Sequence, residues 1–129
     1  MELAEFEKYV EEGFARLPLW VREKIRNVAL LIEDEPSEEV RAQEKLGPGD
    51  TLLGLYHGIP LTGKSVSDSM TLPDTITLYQ KPIEQVAQED GVDVRDIIAE
   101  TIWHEYAHHF GMDEDEVRLR EQRRKPSQT

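Results

Sequence analysis

The stretch "VRDIIAETIWHEYAHHF", residues 94–110, holds neither proline nor glycine and carries apolar side chains on nearly every side. As a helix it would advance about 1.5 Å per residue and span roughly 26 Å. Asp93 before it is a natural N-cap, with Asp96 three residues on as a short capping-box partner. Gly111 behind it is the residue type that takes the left-handed conformation just past a helix end. On a wheel of about 100° per residue, Ile98 and Ile102 fall to one side of His104 and Ala99, Trp103 and Phe110 to another. Only Asp96 and Glu100 mark an outward edge. A helix so apolar all round is central and mostly buried, and the rest of the chain must pack around it.

The remaining elements supply that packing. Leu3, Phe6, Val10, Phe14 and Leu17 recur at three- and four-residue steps, which predicts an amphipathic helix closed by Pro18. Pro18 can open a second, short helix through about Arg26, carrying Trp20, Val21 and Ile25. "VALLI" at 28–32 reads as a buried strand, and Ser37 can start a helix over 37–46 with a thin apolar side. "TLLGLYHGIPLT" at 51–62 is strand-like, with Gly54 and Gly58 suggesting a bulge or a hairpin corner. Residues 63–74 read as a loop. "TITLYQ" at 75–80 alternates as a half-buried strand does, and Pro82 can begin a further helix with Ile83, Val86 and Ala87. The expectation is an α+β fold, a small mixed sheet packed on the long helix, in a single domain over 1–129 with about 120–129 frayed.

Three of the four histidines lie on the long helix. Relative to His104, His108 stands roughly 40° round the axis and His109 roughly 140°. Two imidazoles on one stripe of a buried helix cannot both be satisfied by aliphatic neighbours. A divalent metal would satisfy both, because residues at i and i+4 can present a ring nitrogen each to one ion. Glu105, on the next spoke, can reach beside such an ion and act as a base. His109 points away from the pair and reads as a structural or supporting group.

The charge balance narrows the partners. Twenty-seven acidic against fifteen basic side chains give a net charge of −12, which repels nucleic-acid phosphates and anionic lipid and favours cations and basic substrates. Neither nucleic acid nor a membrane is therefore the expected partner. The chain has no cysteine, so thiolate zinc sites and cysteine nucleophiles fall away. Neither a signal-peptide pattern nor an apolar run long enough to span a bilayer occurs, and the expected location is the cytoplasm.

Gly111 lies seven residues after His104 and Glu114 ten after it, so "HEYAHHFGMDE" fits HExxHxxGxx(D/H/E). The chain resembles the zincin metallopeptidases, and within them a family of small bacterial minimal zincins. The similarity extends over "NVALLIEDEP", "LLGLYHGIPL" and "LPDTITLYQKPI". The resemblance implies one zinc ion held by His104 and His108, with Glu105 as general base and a third ligand returned by the turn at Gly111. The family usually has Asp at that third position, and the metzincins have His. Here it is Glu114, flanked by Asp113 and Asp115 as alternatives. The methionine turn of metzincins is missing, since Met112 lies inside the motif. A zincin this short also lacks the second subdomain that walls the substrate cleft.

These features predict a zinc-dependent peptidase or related hydrolase. The substrate, a peptide or protein, would lie along a strand edge, either 52–57 or 75–80, with 75–80 favoured for its nearness in sequence to the helix. Tyr56, Tyr79, Tyr106 and His57 are candidate oxyanion donors, none singled out. A metal-bound zincin scaffold that binds a protein partner is the rival reading. A metal-dependent nuclease comes third, supported only by the basic segment Arg118, Arg120, Arg123, Arg124 and Lys125.

Overall fold

The computed structural model describes residues 1–58 and 74–109. In chain order the elements are α1 (Leu3–Ala15), α2 (Leu19–Lys24), β1 (Ala29–Glu33), α3 (Glu38–Gln43), β2 (Gly54–His57), β3 (Thr75–Tyr79), α4 (Gln80–Asp90) and α5 (Val94–His109). This is the expected α+β arrangement with a small mixed sheet.

The sheet has the order β1-β3-β2. β1 runs parallel to β3, from Ala29 opposite Thr75 to Glu33 opposite Tyr79. β2 runs antiparallel to it, from Gly54 opposite Leu78 to His57 opposite Thr75. β3 is thus central, which explains why Ile76, Thr77, Leu78 and Tyr79 are all buried rather than alternately exposed. The half-buried alternation expected at 75–80 is overturned by this position. The register between β2 and β3 is continuous through Gly54, so no bulge interrupts the ladder there.

α5 is the centre of the molecule. Ile98, Ile102 and Ala107 are fully buried and Trp103 is 1% exposed, with Ile97, Ala99, Thr101 and Tyr106 nearly so. Phe6 and Val10 of α1, Ile76 and Leu78 of β3, and Ile83 of α4 join the same core. Fully burying each such large apolar side chain contributes about 1.5–3 kcal/mol, so this helix anchors the fold. Trp103 also meets Trp20 edge-on, with ring centres 5.5 Å apart.

The helix ends follow local chemistry, with two departures from expectation. Ser37 caps α3 by accepting from the Val40 N–H at 3.2 Å, as its position suggests. Asp93 accepts from the Arg95 N–H at 2.9 Å and so caps α5. Its supposed partner Asp96 does not close a capping box but pairs with Arg16 at 2.8 Å, tying α5 to the end of α1. α4 begins at Gln80, two residues before Pro82. Proline is tolerated there because a first-turn N–H has no partner within the helix.

Candidate metal centre

His104 and His108 project from the C-terminal half of α5, His104 half-buried and His108 exposed. Their ring centres lie 5.9 Å apart and the rings are perpendicular. Two imidazoles bound to one zinc at about 2.0–2.1 Å per bond would hold their ring centres roughly 5 Å apart. The observed separation is close to that value, and the pair fits the group that the motif implies. Among the described residues no third histidine, aspartate or glutamate joins them. Glu114, Asp113, Asp115 and the turn at Gly111 lie outside the described residues.

Glu105 is half-buried on the adjoining spoke of the helix. Its Oε1 accepts from the backbone N–H of Tyr56 at 3.1 Å. The ladder explains why that N–H is available. Leu53 accepts from the Tyr79 N–H, so Leu53, Leu55 and His57 turn their backbone groups to β3 and Tyr56 turns its own to the other side. The carboxylate thus sits on the edge of β2 that has no strand partner among the described residues. Burial raises the Glu105 pKa above the ordinary glutamate value, while the Tyr56 N–H and His108 pull it partly back and Glu44 adds to the rise.

Tyr56 is more engaged than the sequence suggests. Its hydroxyl donates to Asp74 Oδ2 at 2.7 Å, and burial together with that carboxylate raises its pKa far above the usual phenol range. Its ring stacks on His109, with centres 3.9 Å apart and planes 17° from parallel. The room for this comes from Gly58, where a Cβ would stand 2.7 Å from His109 Cε1. Of the other candidate oxyanion donors, Tyr79 and Tyr106 are buried in the core, and His57 is exposed at the end of β2. Spacing alone places His109 away from the metal pair, but it carries no signal for the Tyr56 contact. Gly58 is the one trace of it.

A small mixed sheet laid against a buried helix that bears HExxH defines the zincin class of fold. The chain belongs to the zincin-like metallopeptidase family, whose profile matches residues 25–124. The match starts at Ile25 and thus leaves out α1 and α2. The chain is also similar to the solved structure of a conserved hypothetical protein from Thermus thermophilus. The TM-score is 0.56 at 25% identity, covering 84% of this chain and 94% of that one. No curated protein matches the chain. Among the described residues, no helix is long and apolar enough to cross a membrane.

Proposed function

We propose that the protein is a zinc-dependent peptidase of zincin type, with His104 and His108 as metal ligands, Glu114 as third ligand and Glu105 as general base. A zinc ion held there would polarise the scissile carbonyl and lower the pKa of water towards about 7. Glu105 takes the proton of the attacking water and passes it to the leaving amine. Burial makes its carboxylate a stronger base than an exposed glutamate, which suits that task at neutral pH.

The observation that carries this reading is the position of the Glu105 carboxylate, 3.1 Å from the Tyr56 N–H, on the edge of β2 that has no strand partner among the described residues. An extended peptide can add to such an edge as a further strand. Of the two edges considered from the sequence, 75–80 is excluded, because β3 is paired on both sides. The substrate then lies along 52–57, where it takes over the Tyr56 N–H and frees the carboxylate beside the scissile bond. The net charge of −12 favours basic peptides and disfavours nucleic acid as substrate.

The test is metal analysis of the purified protein combined with cleavage of a peptide library, with and without chelator. One zinc per chain and chelator-sensitive cleavage support the proposal. Zinc without cleavage of any peptide would favour the rival, a metal-bound scaffold that binds a protein partner.

A further inference from the structure

His104 and His108 occupy one stripe of α5, and Glu105 and His109 occupy the next, again four residues apart and so side by side. Both members of this second stripe meet a single residue of the sheet. The Tyr56 N–H donates to Glu105, and the Tyr56 ring lies flat against the His109 imidazole. A third attachment, from the Tyr56 hydroxyl to Asp74, fixes the far end of the ring to the residue just before β3.

We infer that Tyr56 and His109 form a clamp that fixes β2 against α5 and so sets the position of the Glu105 carboxylate. Three features favour a dedicated contact over incidental packing. The stacking is close and nearly parallel, with ring centres 3.9 Å apart at 17°. The imidazole lies where any side chain at position 58 would intrude, since a Cβ on Gly58 would be 2.7 Å from Cε1 and 3.1 Å from Nε2. His109 also stands roughly 140° round the helix from His104, on the wrong side to share an ion with His104 and His108. One stripe of α5 is thereby given to the metal and its neighbour to the strand. His109 is a positioning residue, acting on the chemistry only through Tyr56 and Glu105. Its effect on catalysis rests on the peptidase reading above, while its effect on the strand does not.

The clamp can be tested on the full-length protein with His109→Ala, His109→Phe and Gly58→Ala. Amide exchange at Tyr56 and Ile102 and zinc affinity by chelator competition are the readouts. Tyr56 exchange should rise at least tenfold in His109→Ala and Gly58→Ala. Ile102 exchange and zinc affinity should stay within about threefold of wild type. Phenylalanine at 109 keeps a flat ring and should restore most of the Tyr56 protection, which a loss of general stability would not predict. With a cleavable peptide, kcat should fall in His109→Ala and recover in His109→Phe. Unchanged Tyr56 exchange in His109→Ala would overturn the clamp. So would a loss of zinc as large as that of His108→Ala, because His109 would then be a ligand. A wild-type protein that takes up no zinc would overturn the peptidase reading alone, leaving the exchange comparison to decide the clamp.

Discussion

Gly54 packs directly against Thr101: a Cβ on Gly54 would stand 2.6 Å from the Thr101 Cγ2 and 3.0 Å from the Thr77 carbonyl oxygen. β2 can approach α5 at this level only because residue 54 has no side chain. The same approach brings Tyr56, two residues on, within reach of Glu105.

Gly54→Ala should therefore destabilise the protein by about 1–3 kcal/mol, the usual cost of overpacking a tight contact. Thr101→Ser removes the obstructing methyl while keeping the hydroxyl that donates to the Ile97 carbonyl at 2.7 Å. In the double variant part of the loss should return. Urea titrations of the two single variants and the double variant would measure the coupling. Strict additivity would mean that the two residues do not compete for the same space.

Asp93 should make stability depend on acid. Its hydrogen bonds to the Arg95 guanidinium, joined by Arg16, hold its pKa well below the ordinary aspartate range despite partial burial. A depressed folded-state pKa contributes stability above the unfolded value of about 3.9, and that contribution is lost as pH falls through the folded value. Asp93→Ala should cost about 1 kcal/mol at pH 7 through the lost helix cap, the part-exposed ion pairs adding little. The gap to wild type should stay constant down to about pH 5 and narrow below about pH 4. Denaturant midpoints across that range would check it. A gap that widened on acidification would contradict the assignment.

His104→Ala and His108→Ala should each abolish stoichiometric zinc binding. Zinc saturation should also stabilise the wild type, by about 2.7 kcal/mol at a hundred times the Kd. Metal analysis and thermal melting would measure both. A stoichiometry of one in either variant would place the site elsewhere in the chain.

Glu114→Gln should weaken zinc at least tenfold, about 1.4 kcal/mol, while Asp113→Asn and Asp115→Asn change it little. Glu114 holds the tenth position after His104, and its extra methylene lengthens its reach. Competition with a chromogenic chelator would rank the three. A large loss confined to Asp113 or Asp115 would mean a tighter or wider turn after Gly111 than the motif implies.

The sequence made α5 legible because sixteen residues without proline or glycine, apolar on several sides and with Asp93 before them, admit few alternatives. β1 and β3 could likewise be placed to within a residue, since short apolar runs between turns leave little else; of the strand read over 51–62, Gly54–His57 forms β2 and residues 59–62 lie outside the described residues. Strand order could not be read. Nearness of 75–80 to the helix in sequence suggested an edge, whereas β3 is held between β1 and β2. Pairing of this kind is decided by tertiary packing, and local pattern does not encode it. Pro82 misled for a similar reason: it marks the first turn of α4, which already begins at Gln80. In the site, the His104–Glu105–His108 spacing was plain from the motif. The attachment of Glu105 to Tyr56 was not, because a backbone N–H leaves no mark on residue type.

Glu105→Gln tests the central claim most directly, because the amide preserves shape but cannot accept the proton. In zinc-loaded protein, cleavage of a wild-type peptide substrate should fall at least a hundredfold, within the range for losing a general base. Zinc content should remain at one per chain. Cleavage near the wild-type rate with full zinc would contradict the account.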